Sequence, residues 1–153
     1  MADPDLDDLR DQEHRLVFAG FDNAAAWELG ARMVTAARER ELPVVVSIER
    51  NGQRLFHAAL PGTSADNDAW VERKSRVVRR YGHSSYLVGC QFRAGGGTFE
   101  EKSRLDPDLY AAHGGSFPLI IRDVGVVGSI TVSGLPQADD HAFVVEQLEA
   151  FLG

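Results

Sequence analysis

The segment VVVSIERNGQRLFHAA, residues 44–59, determines more of the fold than any other stretch of the chain. Two runs rich in β-branched and aromatic residues flank Asn51-Gly52, the dipeptide that most readily takes the positive φ angles of a type I′ turn. The pattern predicts an antiparallel hairpin with strands at residues 44–49 and 54–59. A sheet built from tight hairpins is antiparallel, because a parallel pair needs a long crossover connection.

A second hairpin is predicted from FPLIIRDVGVVGSITV, residues 117–132, around a turn at Asp123-Val124-Gly125. Helical patterns lie at residues 3–17, 22–42, 68–81, 84–92, 106–112 and 136–152. Residues 94–103, with three consecutive glycines, are predicted to be a flexible loop. Strands and helices do not alternate and no dinucleotide fingerprint follows a strand, which argues against a Rossmann fold. The order predicts an α/β (α+β) chain with helices packed on one antiparallel sheet.

The composition is that of an ordinary globular chain of one domain size, with 153 residues. We expect an N-terminal helical segment at residues 1–20 and a single domain at residues 21–153. The net charge of −7 disfavours a nucleic-acid or anionic membrane partner. Cys90 is the only cysteine, which excludes an internal disulfide and fits a reducing compartment. The chain shows neither a signal-peptide pattern nor an apolar run of membrane-spanning length, so a cytoplasmic location is expected.

The two ends of the second hairpin carry the residues that most suggest a binding site. His113-Gly114-Gly115 enters the hairpin, and Ser133-Gly134 leaves it just before the helix that contains His141. The turn folds the hairpin back on itself, so both ends are expected at the same end of the sheet. Exposed backbone N–H groups at a helix start can bind an anion, and glycines let a ligand approach the backbone. A small-molecule pocket is therefore one interpretation, and glycines that merely permit turns are the other.

The same histidines are also candidate metal ligands. His113 and His141, with Asp139 or Asp140, would supply nitrogen and oxygen donors, but two histidines alone do not make a metal site. No third ligand is evident from the sequence. We therefore predict no metal site.

A basic helix provides the second group of candidates, Trp70, Arg73 and Lys74. The spacing places Lys74 on the apolar stripe of this helix, which is unusual for an ammonium group. Either its stem runs along the core, or its head meets a buried carboxylate or a ligand anion. The other arginines of the helix fit a solvated basic face, and no basic ribbon interleaved with aromatic residues suggests nucleic-acid binding.

A hydrolase was also considered, because His83 precedes Ser84 and Ser85. The Gly-x-Ser-x-Gly turn that presents a nucleophilic serine is absent from the sequence. The serines are better interpreted as caps of the following helix.

These motifs together resemble the GlcG/HbpS-like family of haem-degrading or haem-binding domains. The resemblance is carried by Gly62-Thr63, Asp66-Asn67, Trp70, Arg73-Lys74, Ser84-Ser85, His113-Gly114-Gly115, Phe117-Pro118 and Ser133-Gly134-Leu135-Pro136-Gln137 with Asp140-His141. It extends from about Phe21 to Leu152 and points to the uncharacterised cytoplasmic branch of the family. It implies a profilin-like fold with a five-stranded antiparallel sheet, and assembly into homo-oligomers.

The resemblance also implies a function. It suggests a cytoplasmic, oligomeric small-ligand-binding protein, with haem or a related compound as the ligand. Arg73 and Lys74 would hold an anionic group such as a propionate, a carboxylate or a phosphate, while His113 and His141 would ligate or hydrogen-bond. The predicted ligand-binding set is Trp70, Arg73, Lys74, His113, Gly114, Gly115, Ser133, Gly134 and His141. No catalytic residue is carried over.

Two other functions stay open. In an assembly or partner-binding protein without chemistry, the glycines, Trp70 and Lys74 would serve subunit interfaces. In an enzyme acting on a small acid or a cofactor fragment, some residue would act as a nucleophile or a base, and the sequence identifies none. Whether the protein is an enzyme is therefore left open at this point.

Overall fold

The computed structural model describes residues 2–153 and consists of helices packed on one sheet. The elements in that range are α1 (Leu6–Arg15), α2 (Asn23–Glu39), β1 (Val45–Arg50), β2 (Gln53–Ala59), α3 (Ala65–Tyr81), α4 (Ser85–Ala94), α5 (Phe99–Ser103), β3 (Ser116–Ile121), β4 (Gly125–Ser133) and α6 (Gln137–Leu152). The strand order is β2-β1-β4-β3, and every neighbouring pair is antiparallel. The predicted α+β fold with an antiparallel sheet is confirmed.

The predicted number of strands is wrong, since the sheet within residues 2–153 has four strands and not five. The nearest approach to a fifth strand is Phe18, which forms a single bridge to Ile121 beside β3. Its N–H donates to Ile120 O at 2.8 Å, and its carbonyl accepts from Arg122 N at 2.8 Å. The pairing stops there because the chain turns away toward Asp22, whose carboxylate caps α2 by accepting from Ala25 N.

Both hairpins form where the sequence predicts them. Asn51 and Gly52 have φ angles of 51° and 81°, as a type I′ turn requires. In the second hairpin Asp123 and Gly125 take φ angles of 64° and 112°. The turn chemistry therefore decides the strand pairing locally in each case.

Two helix predictions are wrong in the second half of the chain. The segment predicted to be helical at residues 106–112 forms a turn and irregular chain, while a short helix, α5, lies inside the predicted glycine-rich loop. Thr98 starts α5 by accepting a hydrogen bond from Glu101 N at 3.2 Å. A good N-cap followed by Glu100 and Glu101 outweighs the flexibility of the preceding glycines.

The two faces of the sheet differ in polarity. One face packs against α2 and α6 and is apolar; its fully buried members are Val46, Ile48, Phe117, Leu119, Ile130 and Val132. The alternate residues of the same strands face α3 and are small and polar; they include Ser47, Ser116, Ser129, Thr131 and Ser133, all buried. Such hydroxyls leave room for polar side chains of α3, which is how a lysine comes to lie inside the fold.

Helix α1 packs against α4 through Leu9, which contacts a cluster containing Tyr86, Leu87 and Cys90. The buried Glu13 accepts a hydrogen bond from Ser84 N at 2.9 Å and lies 2.7 Å from His83 Nδ1. Across residues 2–153, the helices are too short or too polar to cross a lipid bilayer.

The predicted capping role of the serines is confirmed for Ser84. Its hydroxyl accepts a hydrogen bond from Leu87 N at 3.0 Å and so caps α4. The imidazole of His83 instead contacts Glu13 at 2.7 Å. Because its oxygen is engaged at the helix start, Ser84 is occupied in a structural role.

Candidate functional site

A pocket of about 220 Å³ opens where α3 begins, between the His113 loop and the turn that joins β4 to α6. Its lining consists of Asp66, Asn67, Trp70, Lys74, His113, Ser133, Gly134, Leu135, Gln137 and Asp140. Five predicted residues therefore lie around one cavity: Trp70, Lys74, His113, Ser133 and Gly134. The tertiary fold brings together the basic helix and the second hairpin, which the sequence treats as separate candidates.

The centre of the pocket is a buried ion pair between Lys74 and Asp140. Lys74 Nζ donates to Asp140 Oδ2 at 3.0 Å and to Val132 O at 3.1 Å, and the two side chains are 4% and 2% exposed. Asp140 also accepts from Leu135 N at 3.0 Å and from Gly134 N at 3.3 Å. These bonds satisfy the carboxylate, as a buried charge requires.

Burial acts on both members of this pair. It lowers the pKa of Lys74, while the charge and hydrogen bond of Asp140 oppose the change. It raises the pKa of Asp140, while Lys74 and the two backbone N–H groups oppose it. The energy separating the ion pair from the neutral amine and acid is therefore smaller than in water, which favours proton transfer between them.

His113 and Trp70 form the aromatic wall of the pocket. Their rings meet edge to face at a centroid distance of 5.1 Å. The Arg73 guanidinium carbon lies 4.4 Å from the Trp70 ring centroid, and Arg73 Nε donates to Pro107 O at 3.0 Å. Arg73 is therefore held behind Trp70 and does not line the cavity.

Burial lowers the pKa of His113, so the imidazole is neutral at pH 7. Glu100 acts to raise this pKa, whereas the charges of Lys74, Arg73 and Arg93 lower it further. Charges of both signs therefore act on this ring, and Arg73 is the cation among them that has no carboxylate partner within residues 2–153.

The glycines of the predicted site allow other parts of the backbone and the Lys74 side chain to pack closely against them. A Cβ on Gly115 would lie 2.7 Å from Lys74 Nζ and would overlap the carbonyl oxygen of Val132. A Cβ on Gly114 would overlap Gln137 O, and one on Gly134 would overlap Pro43 O. Bare backbone at these positions allows β4, α6 and the His113 loop to close around the ion pair.

Several polar groups around the cavity have hydrogen-bonding capacity to spare. Gln137 Oε1 accepts from Gly114 N at 3.0 Å, and Asn67 Oδ1 accepts from Ser64 N at 2.9 Å. Backbone N–H groups only donate, so each amide must present its oxygen to them and keeps its NH₂ for another partner. Within residues 2–153, those two NH₂ groups and the Ser133 hydroxyl have no hydrogen-bond partner.

His141 points away from the pocket although it follows Asp140. Its ring packs at 5.0 Å from the Tyr86 ring and 6.1 Å from the Phe117 ring, and its Nε2 lies 2.7 Å from Gln12 Oε1. Its Nδ1 is buried without a partner among the described residues. The expected proximity of His113 and His141 in one site is therefore not observed, because successive residues of a helix face different directions.

The buried imidazole of His141 makes stability depend on pH. Burial lowers its pKa from 6.5 to about 4. Between these values the unfolded chain binds a proton that the folded chain does not, so stability is full above pH 6.5 and decreases toward pH 4, by about 3 kcal/mol. We expect His141→Gln to remove this part of the pH dependence in urea unfolding measured from pH 7 to 4.5.

The exposed His14 offers the matched control for that experiment. His14→Gln makes the same substitution at an exposed position on α1, so the loss of stability toward pH 4 that His141 causes should persist in this variant. Equal pH dependence in the unchanged protein and His141→Gln would contradict the assignment to His141.

Sequence reasoning missed the central role of Asp140. It was considered only as a helix-start residue or a metal ligand, and Asp66, Asn67, Leu135 and Gln137 were not predicted to line a site. One signal was available, because Lys74 on an apolar stripe requires a buried carboxylate or an anion. Within the described part of the chain, no group of three or more His, Cys, Asp and Glu side chains is arranged to hold a metal ion.

The sequence profile described as haem degrading protein HbpS-like matches residues 21–149. The chain belongs to the HbpS-like family. A UPF0303 protein from Streptomyces coelicolor is 64% identical to it over 150 residues, which cover 98% of this chain and 95% of the relative. The match confirms the family that the motifs resemble, while the assignment to a particular branch remains a prediction.

Solved structures of other proteins share the fold of this HbpS-like chain. The crystal structure of Ybr137w protein superposes with a TM-score of 0.88 at 37% identity, covering 96% of this chain and 87% of that one. The crystal structure of a PduOC:heme complex superposes with a TM-score of 0.69 at 20% identity, covering 88% and 95%. At that lower identity the similarity concerns the fold alone.

Proposed function

We propose that this HbpS-like protein binds a small carboxylate-containing ligand in the pocket around Lys74 and Asp140. The observation that carries the proposal is the set of donors without protein partners, the Asn67 and Gln137 NH₂ groups and the Ser133 hydroxyl. Amide NH₂ groups can only donate, so they favour a ligand rich in acceptor oxygens. A polar cavity beside a buried ion pair with shifted pKa values is typical of a functional site.

The size of the cavity limits the ligand to a few carbon atoms. Pockets that enclose drug-sized molecules measure about 300–1,000 Å³. The pocket here measures about 220 Å³ and is walled on one side by Trp70 and His113. A short carboxylic or oxo acid matches this volume, with its apolar part against the rings.

The charges around the cavity suggest how the ligand is oriented. Asp140 neutralises Lys74 inside the pocket, and on the His113 side Arg73 adds positive charge, whereas Arg93 is paired with Asp3 and Glu100 is negative. We therefore expect the ligand carboxylate on the Arg73 side of His113 and the rest of the ligand toward Ser133. Gly114 and Gly115 would leave room for the pocket, and Arg73 would add positive charge without contacting the ligand. His141 would act indirectly, by packing beneath the pocket.

Isothermal titration of pyruvate, glyoxylate, oxalate and succinate tests the proposal. At least one of these acids should bind, and Ser133→Ala should weaken that binding by about tenfold, the value of one hydrogen bond to a charged group. His14→Ala is the control, because this exposed side chain lies on α1 and does not line the pocket. Binding of none of the acids, or equal binding by Ser133→Ala, would contradict the proposal.

Haem is the second candidate, favoured by family membership and by the half-buried imidazole of His113. The described residues do not enclose a haem, because a porphyrin is larger than the ligands that a pocket of 220 Å³ holds. His113, which has no hydrogen-bond partner within residues 2–153, is the residue that would hold a haem iron if this protein bound one. Haem titration should then give a Soret shift that His113→Ala abolishes; an unchanged Soret band excludes this candidate.

We also propose that the protein works as a homo-oligomer in the cytoplasm. The support for assembly is Trp27, 68% exposed on α2 and packed against Phe56 at 5.5 Å between ring centroids. Tryptophan is among the residues that are enriched in protein–protein interfaces. The unpaired Cys90 fits a reducing compartment. Light scattering of the purified protein distinguishes an oligomer from a monomer, and a purely structural assembly protein would form the oligomer without binding any small ligand.

A further inference from the structure

Lysine is rare in this chain, and one of its lysines is buried. Of the 16 Lys and Arg residues, only Lys74 and Lys102 are lysines. Lys102 is exposed on α5, whereas Lys74 is buried and lines the pocket. Arginine stays charged under all ordinary conditions, while a buried lysine can lose its proton and become a nucleophile. Among the lysine and arginine side chains of residues 2–153, Lys74 is thus the one that is buried, and it lies beside a cavity.

The surroundings of Lys74 Nζ leave one side of the nitrogen for a ligand. Two of the three ammonium protons are donated to Val132 O and Asp140 Oδ2. The third has no acceptor among the residues that the structure describes. Gly115 lies so close that even a methyl carbon there would be 2.7 Å from Nζ. The nitrogen is thus held by two acceptors, and its residue lines the pocket.

We propose that Lys74 forms a Schiff base with a small 2-oxo acid bound in this pocket. The inference rests on the proposed function and names the class of its ligand. The carbonyl carbon of the ligand would meet Nζ, and its carboxylate would lie toward His113 and Arg73. Ser133 and the two side-chain amides would donate to the ligand oxygens.

The reaction balances with the groups present. Asp140 Oδ2, 3.0 Å from Nζ, accepts one proton from the ammonium, and the free amine attacks the carbonyl carbon to form an N–C bond. A proton then moves from the nitrogen of this adduct to the former carbonyl oxygen, which gives a carbinolamine. Asp140 returns its proton to the hydroxyl oxygen of the carbinolamine, and the C–O bond breaks to release water. The products are an iminium ion and the Asp140 carboxylate, so the ion pair is preserved with the new cation. The lowered pKa of Lys74 and the raised pKa of Asp140 make the first transfer easier.

Reductive trapping tests the proposal on the folded, full-length protein. The protein is incubated with glyoxylate or pyruvate and cyanoborohydride, and the modified residue is located by peptide mass spectrometry. Lys74 should be modified at least about tenfold faster than Lys102, although Lys74 is the more buried amine. In about 8 M urea, which unfolds most single domains, the preference for Lys74 over Lys102 should disappear.

A matched variant tests the proposal without replacing Lys74, so the result does not depend on whether a Lys74 variant folds. Lys102→Arg leaves Lys74 as the only lysine and should give the same adduct at the same rate. Modification confined to Lys102 or the N-terminal amine, or equal rates at both lysines, overturns the proposal. If calorimetry shows that an acid binds while no Lys74 adduct forms, the Schiff base is excluded and the proposed function stands; if neither occurs, both are excluded.

Discussion

Replacing Lys74 with methionine is expected to lower the free energy of unfolding by about 3–5 kcal/mol, the usual cost of leaving one charge of a buried pair alone. The stem of methionine fills the volume of the lysine side chain, so little packing is lost. Asp140, 2% exposed, would lose its cation and keep only the N–H groups of Gly134 and Leu135. Denaturant unfolding at pH 7 measures the effect.

The pH dependence of this variant identifies the cause. Without Lys74 the pKa of Asp140 rises further above its ordinary value of 3.8. A carboxyl group with a raised folded-state pKa destabilises the fold above its unfolded-state pKa, so the deficit of Lys74→Met should grow as the pH rises from 3.8 and shrink as it falls.

Adding Asp140→Asn to Lys74→Met provides the matched control, because it removes the carboxylate that has lost its cation. The double variant Lys74→Met/Asp140→Asn buries no charge and keeps an oxygen for Leu135 N. We expect it to be more stable than Lys74→Met alone. A deficit that is independent of pH, and a double variant no better than the single one, would show that lost packing and not a stranded charge causes the effect.

Gly115→Ala is expected to cost about 3 kcal/mol or more, because it combines backbone strain with overlap in a closed site. Gly115 has a φ angle of 135°, a region that residues with a side chain rarely adopt. Its added methyl group would meet Val132 O, Lys74 Nζ at 2.7 Å and Asp140 Cβ at 3.1 Å. The variant should therefore lose stability and ligand binding together.

Two other glycines separate strain from overlap. Gly52 has a φ angle of 81° with no atom within 4 Å of an added Cβ, so Gly52→Ala reports strain alone. Gly20 has neither constraint, and Gly20→Ala should be close to neutral. Thermal unfolding of the three variants should rank them with Gly115→Ala lowest. If Gly115→Ala lowered the unfolding temperature no more than Gly52→Ala does, close packing beside the ion pair would not contribute to stability.

The elements that sequence reasoning predicted well are those with local causes. The turn at Asn51-Gly52 forms its hairpin because two adjacent residues supply the required φ angles. Helix α3 ends at Tyr81 because Gly82, with a φ angle of 72°, forms a left-handed cap, but the helix begins at Ala65, earlier than predicted. The start was missed because Ser64 and Asn67 form a reciprocal capping box that a search for apolar periodicity overlooks.

The elements predicted poorly depend on distant partners. A fifth strand would need a longer run beside β3 than the single bridge at Phe18, and nothing local to Phe18 reveals how far that pairing extends. His141 looked like a companion of His113 because both flank one hairpin. Its burial against Tyr86 and Gln12 depends on α1 and α4, which lie far away in the chain.

The sequence by itself determined the antiparallel hairpins, most of the helices, the family and the anomaly of a lysine on an apolar stripe. Each of these depends on residues close together in the chain or on a motif. Only the tertiary structure decided that the partner of Lys74 is Asp140, 66 residues away, and that Ser133, His113 and Trp70 surround the pair. Periodicity identifies a side chain that must be buried, but the packing of α3 against β4, the strand that leads into α6, selects the group that compensates its charge.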